Sequence, residues 1–131
     1  MQGKKATSPD GHIIKEKRED LSMALKKETV LQNAIRVKLS AVGIVIRNNV
    51  GKFFTAYGQP ITIGVPGMSD LTLHAAGGKT IFIETKTPVG RQSKQQKRFQ
   101  AAVEKLGYEY IIMRSEEEAE NLCLRLRKLK N

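Results

Sequence analysis

Leu71–Leu73 and Thr80–Glu84 are two β-forming runs around Gly77-Gly78, and this hairpin signal constrains the fold more than any other part of the chain. A two-residue Gly77-Gly78 loop would set Leu71 opposite Glu84 and Leu73 opposite Phe82, leaving a carboxylate on the aliphatic face. A three-residue loop, Ala76-Gly77-Gly78 with a glycine in the left-handed region, instead pairs Leu71 with Ile83 and Leu73 with Ile81. One face is then wholly aliphatic. The same register stands Asp70 opposite Glu84, with Cβ atoms about 4.5–5.5 Å apart if regular pairing extends that far.

Two like charges directly opposite each other destabilise a sheet, so this pair asks for a cation between them. Strand alternation places Lys86 on the face of Glu84, while Thr85 points the other way and offers its backbone carbonyl at the edge. Two carboxylates, a carbonyl and a lysine around one point suit a hard divalent ion, Mg²⁺ or Mn²⁺, better than zinc. Lys86 would orient a water or a phosphate oxygen.

Two more polar residues stand where apolar ones belong. Leu21, Leu25, Leu31, Ile35, Leu39 and Val42 predict an amphipathic helix over Asp20–Val42, ended by Gly43. Glu28 falls on its inward stripe, and a charge there needs a partner. Ser93 caps a helix running to Leu106 with Gly107 at C′, and the spacing of Gln96, Phe99, Val103 and Leu106 turns Gln96 inward.

The remaining elements follow from local signals. Ile44–Arg47 reads as a strand, Asn48–Gly51 as a turn, Lys52–Tyr57 as a second extended run, and Ile61–Ile63 as a small strand in a loop-rich stretch. Tyr108–Met113 is a further strand, and Ser115 with Glu118 forms a capping box before a last helix carrying Ala119, Leu122, Leu126 and Leu129. The order αβββ(β)αβα predicts a mixed α/β (α+β) sheet flanked by helices rather than a doubly wound parallel sheet. Phe53, Phe54 and Tyr57 fit either a base-stacking surface or a buried strand.

Length and charge bound what such a chain can do. At 131 residues, one domain is expected over 20–131, after a basic arm, 1–19, read as mobile. The net charge of +10 favours an anionic partner, and residues 36–52 carry four positive charges and no negative one, while 86–107 carry six against one. A single cysteine, Cys123, excludes an intramolecular disulfide and a cysteine-based zinc cage; it reads as packing, in a reducing compartment. His12 and His74 have no spaced nucleophile or ligand partner and read as surface residues, which excludes a Ser-His-Asp or Cys-His mechanism. No apolar run is long enough to cross a membrane and no signal peptide is evident.

Gly67-Met68-Ser69-Asp70, a hairpin, Ile83-Glu84-Thr85-Lys86 and then Gln96 on a helix resemble the PD-(D/E)xK nuclease superfamily. The VRR-NUC family is the closer match, through the Glu28 helix, the Arg47-Asn48-Asn49-Val50-Gly51 turn and the Gly107-to-Ser115 strand, so the resemblance spans roughly Glu28 to Glu118. It implies a restriction-endonuclease-like core, αβββαβ. It also implies metal ligation by Asp70, Glu84 and the Thr85 carbonyl, a further acidic contribution from Glu28 as inner- or outer-shell ligand, and catalytic support from Lys86 and Gln96, with Gln96 orienting Lys86 or the water. The proline before the aspartate neighbourhood is present only as Pro66, and Thr85 stands where an aliphatic residue is common in the superfamily.

The activity implied is Mg²⁺- or Mn²⁺-dependent phosphodiester hydrolysis, and compact stand-alone members resemble homodimeric enzymes that cut branched DNA such as Holliday junctions. Arg47, Asn49, Lys52, Arg91, Lys94 and Lys97 flank the carboxylates and are the candidates for holding nucleic acid. No organic cofactor and no membrane is expected, and the cytoplasm of a bacterial or phage-infected cell is the expected location. The alternative is a nucleic-acid-binding module or assembly factor that keeps the fold without cleavage.

Overall fold

A computed structural model describes the backbone of residues 12–129 and the side chains from Arg18. The chain runs α1 (His12–Leu39), β1 (Gly43–Arg47), β2 (Gly51–Phe54), β3 (Pro60–Ile63), β4 (Leu71–Ala75), β5 (Lys79–Thr85), α2 (Lys94–Lys105), β6 (Glu109–Met113) and α3 (Glu116–Leu129). Four strands make a mixed sheet in the order β1-β4-β5-β6, while β2 and β3 form a separate two-stranded sheet. This is the α+β architecture expected, and each of the five extended runs read between the first two helices is a strand.

The central hairpin has the three-residue register. Leu71 pairs with Ile83 and Leu73 with Ile81, antiparallel. The Ala76–Gly78 turn that sets this register holds Gly77 at φ 79° and Gly78 at φ 72°, a conformation glycine adopts without Cβ strain. β5 pairs in parallel with β6, the connection passing through α2. Leu71, Leu73, Ile81 and Ile83 are fully buried and pack with Ile35 and Leu39 of α1 and with Met113, Ala119, Leu122, Cys123 and Leu126. Cys123 is thus a core residue, as its spacing suggests. The opposite face carries Phe82, which meets the rings of Phe99 and Tyr108 edge to face, and this anchors α2 over β5.

Three sequence expectations are corrected. The first helix begins at His12, so residues 12–19, read as part of a mobile arm, are helical; residues 1–11 of that arm lie outside the described residues. After Gly11 the sequence Ile13–Glu19 contains no glycine or proline and is rich in helix-forming Lys, Glu and Arg. Leu21 and Leu25, placed on the inward stripe, are 62% and 58% exposed. A 28-residue helix is about 42 Å long, roughly twice the length of five- to seven-residue strands, so only its second half finds a sheet to cover. Gly43 opens β1 rather than capping α1, which ends at Leu39, and a Cβ at Gly43 would overlap the His74 carbonyl.

Both later helices are capped as their sequences indicate. Ser93 and Gln96 make a reciprocal capping box. Ser115 Oγ accepts from the Glu118 amide, although Glu118 Oε1 reaches back to the Arg114 amide. Leu106, read as inward, is the C-cap of α2 and 74% exposed, beyond the last turn that the sheet covers.

Candidate active site

Asp70 is placed by the backbone around it before its side chain does anything. The Asn48 amide N–H donates to the Asp70 carbonyl at 2.8 Å, and Asn48 Nδ2 donates to the Ser69 carbonyl at 3.0 Å and to Thr72 Oγ1 at 2.8 Å. Buried Ser69 donates from Oγ to the Leu71 carbonyl at 2.9 Å. Gly67, at φ 82°, lies so close to the Gln95-Gln96 backbone that a Cβ would overlap the Gln95 carbonyl. That contact presses the Asp70 loop against the first turn of α2. Gly67→Ala is therefore expected to destabilise the fold by about 2 kcal/mol or more and to reduce activity beyond that loss. Urea denaturation alongside the activity of the folded fraction checks both.

The Asp70 carboxylate accepts the Thr85 amide N–H at 2.8 Å through Oδ2, so it reaches the end of β5 as the register requires. Glu84 beside it is 1% exposed. Its Oε2 accepts from Gln96 Nε2 at 2.9 Å and lies 3.8 Å from Lys86 Nζ, and its Oε1 is buried without a hydrogen-bond partner. Burial, then the adjacent Asp70 carboxylate, push the Glu84 carboxyl up to about 8, against the opposing pull of Lys86. Thr85 is fully buried, with Oγ1 also unpartnered.

These four side chains, Asp70, Glu84, Lys86 and Gln96, converge as the sequence predicted. Gln96 differs in partner: it holds Glu84, not Lys86, because its Oε1 accepts the Ser93 amide in the capping box and its Nε2 is left for the carboxylate. Glu28 is half-buried on α1, and its carboxyl is raised by burial and by Asp70 while Lys86 lowers it. It senses the cluster without joining it: among the described residues no group of three or more His, Cys, Asp or Glu side chains is arranged to hold a metal ion.

The donor set still fits a hard divalent ion. Mg²⁺ is commonly held by one or two carboxylates, with water and substrate phosphate completing the shell. A buried carboxylate oxygen that lacks a donor, next to a second carboxylate, is the environment such an ion relieves.

A cleft of ≈ 370 Å³ opens beside Asp70, lined by Gln32, Arg47, Asn48, Asn49, Val50, Phe53 and Met68. Arg47 and Asn49 reach it; Lys52 is exposed on β2 outside that lining. Arg91, Lys94 and Lys97 are exposed, and the two lysines lie in the opening turns of α2 on either side of Gln96. His74 is exposed, 3.4 Å from Thr80 Oγ1; the His12 side chain lies outside the described residues.

Three positioning residues had no sequence signal as such. Asn48 and Gly67 stood in the motifs that carry the family resemblance but were given no positioning role. Arg114 was assigned no part, yet its Nη1 donates to the Thr87 and Gly90 carbonyls at 2.7 Å each and holds the turn that follows Lys86.

A mixed sheet whose antiparallel hairpin delivers two adjoining carboxylates and a lysine to a helix-borne glutamine, beside a cleft lined by Arg47 and Asn49, has the form of a nuclease-type domain. The family model described as the VRR-NUC domain matches residues 13–117, and the chain belongs to that family. A solved structure described as a VRR_NUC domain superposes with a TM-score of 0.55 at 19% sequence identity, covering 74% of this chain and 94% of that one. At that identity the likeness is one of fold. No curated protein matches the chain. No helix among the described residues is long and apolar enough to cross a membrane.

Proposed function

We propose that this chain is a metal-dependent, structure-specific endonuclease that hydrolyses phosphodiester bonds in branched DNA such as Holliday junctions and acts as a homodimer in the cytoplasm. The observation that carries the reading is Glu84: 1% exposed, one oxygen held by Gln96 and faced by Lys86, the other without a donor, beside Asp70. Asp70, Glu84 and the Thr85 carbonyl would hold Mg²⁺ or Mn²⁺, with Glu28 in an outer shell. Such an ion, when bound, polarises the scissile phosphate and makes water a stronger nucleophile at neutral pH.

The rest is work for the chain's own groups. Gln96, fixed by its capping box, locks the Glu84 rotamer, so the carboxylate enters the reaction without reorganising. The Lys86 ammonium, whose side chain is 12% exposed, is held at the same carboxylate, where it stabilises negative charge developing on the phosphate or orients the attacking water. Asp70 spends Oδ2 on the Thr85 amide, which fixes its plane. Arg47, Asn49, Lys52, Arg91, Lys94 and Lys97 would grip the phosphates on either side of the cut. No organic cofactor enters this chemistry.

The branched substrate and the paired copies rest on the family resemblance and on size, since one small domain carries one such cluster and a symmetric junction takes two cuts. Incubating the protein with linear, flapped and four-way DNA, with Mg²⁺, Mn²⁺ or EDTA, tests the reading. Cutting of the four-way substrate that needs either metal is expected. A chain that binds these DNAs and cuts none of them with either ion is a binding module instead.

A further inference from the structure

Gln32 is a nearly buried polar side chain that the fold leaves without a partner beside the candidate site. It stands four residues after Glu28 on α1, so the two share a face of the helix. Gln32 is only 8% exposed, yet among the described residues its amide neither donates nor accepts a hydrogen bond. A side-chain amide buried to this degree is ordinarily bonded, because stripping its water without replacement is costly. Gln32 lines the ≈ 370 Å³ cleft that also holds Asp70, so what stays open of it faces that space. Its donor and its acceptor are both free for whatever enters there.

The walls around this amide are apolar and aromatic. Phe53, 43% exposed, lines the same cleft with Val50 and Met68. Phe53 is set in place by its pairing with Ile61 across the β2–β3 hairpin, whose first strand opens directly after the cleft residues Asn48, Asn49 and Val50. Phe54 and Tyr57, 72% and 93% exposed, lie outside the lining. None of the three aromatics is therefore a buried strand residue, which overturns that half of the sequence reading.

Charge selects the occupant. Arg47 is the one cation of the lining and Asp70 the one anion; the other lining residues are neutral. A groove that tracks a phosphate backbone carries a row of Lys and Arg, and this chain places Lys94 and Lys97 on α2, outside the cleft. A ring, an unspent amide and two apolar side chains suit a flat, neutral, hydrogen-bonding group instead. An unstacked nucleobase is such a group: it rests on an aromatic face and is read along its edge by a donor and an acceptor. A base still paired and stacked in a duplex offers neither face nor edge in this way. The cleft lies at the small end of the about 300–1,000 Å³ usual for ligand pockets.

We infer that this cleft is a pocket for one unpaired nucleobase, with Phe53 stacked on the base, Gln32 hydrogen-bonded to its edge and Arg47 at the phosphate of the same nucleotide. The inference rests on the nuclease reading for the strand it names and for the place of that nucleotide. Asp70 shares the cleft, so the base held there belongs to a nucleotide beside the phosphate at the candidate site. Taking a base out of the stack costs least where it is already unpaired, at a flap or a branch. The chain's own residues thus supply a reason to act on irregular DNA.

Photo-crosslinking of the full chain in EDTA, where no metal supports cutting, tests the pocket apart from cleavage. A flapped duplex carries 5-iodouracil at each unpaired position in turn, and near-ultraviolet light joins this base to an aromatic ring stacked against it. The expected result is a cross-link at one position that peptide mapping assigns to Phe53, and its loss in Phe53→Leu. Cross-links that map only to other residues, or none at any position, overturn the inference.

Affinity gives a second readout. Phe53→Leu and Gln32→Leu are each expected to bind the flap about 10-fold more weakly than the wild type, with circular dichroism unchanged. On a flap with an abasic residue at the cross-linking position, wild type and variants are expected to bind alike. A loss in the variants that persists in full on the abasic DNA overturns the inference, because it assigns both residues to the fold or to the phosphates. Should either variant fail to fold, the wild type alone decides: about 10-fold weaker binding of the abasic flap is expected, and equal binding overturns the inference. A flap that cross-links to Phe53 but stays uncut in Mg²⁺ keeps the pocket and removes the nuclease reading; a flap that is cut but never cross-links does the opposite.

Discussion

Asp70→Ala is expected to abolish DNA cleavage, by at least about 1,000-fold, while DNA binding in the absence of metal is retained or tightened. Asp70 lines the cleft, and its carboxylate repels a phosphate as long as no cation neutralises it. Removing Asp70 lifts that repulsion and at the same time removes half of the carboxylate pair. The fold should survive, because Asp70's backbone carbonyl still receives the Asn48 amide and only one hydrogen bond, from the Thr85 amide, is lost. Gel-shift and cleavage assays on one preparation separate the two effects. Equal loss of binding and cutting would mean that Asp70 only holds the loop together.

A second large effect is expected in the dependence of stability on pH. The Glu84 carboxyl titrates in the folded state at about 8, against an ordinary 4.5, because burial and the neighbouring Asp70 disfavour its charge. The folded chain thus binds that proton more tightly than the unfolded chain. The stabilisation is fully present below about 4.5 and is lost as pH rises through about 8. Glu28, raised by burial and by Asp70, adds in the same direction. Metal-free protein should therefore melt progressively lower as pH climbs through this window, with a slope of up to about 1.4 kcal/mol per pH unit for one group. Glu84→Gln should flatten the profile, because its amide stays neutral. Urea midpoints measured along a pH series check it; a wild-type profile as flat as that of Glu84→Gln would contradict it.

How much of this was legible in the sequence depends on the range of the interaction involved. The register of β4 and β5 was legible because one-residue slips put Glu84 on the aliphatic side, and only one loop length avoids that. The convergence of Asp70, Glu84 and Lys86 follows from that register together with strand alternation. Gln96 was legible as an inward residue from helical spacing, but its partner was not, because that depends on how the capping box spends its carbonyl oxygen.

The exposed half of α1 was misread, since Leu21 and Leu25 keep the helical period whether or not a sheet lies beneath them. Asn48, Gly67 and Arg114 act through backbone atoms 20 or more residues away, such as the 21 residues from Asn48 to Ser69, and local pattern holds no trace of those pairings.

The most direct test melts the metal-free chain with and without Mn²⁺ at a pH near 8, for the wild type and for Asp70→Ala. If Asp70 and Glu84 share one hard cation, Mn²⁺ should raise the wild-type melting temperature by several degrees, and more than it does at acidic pH, while leaving Asp70→Ala unmoved. An unmoved wild type, or an equal rise in both proteins, would contradict the shared site.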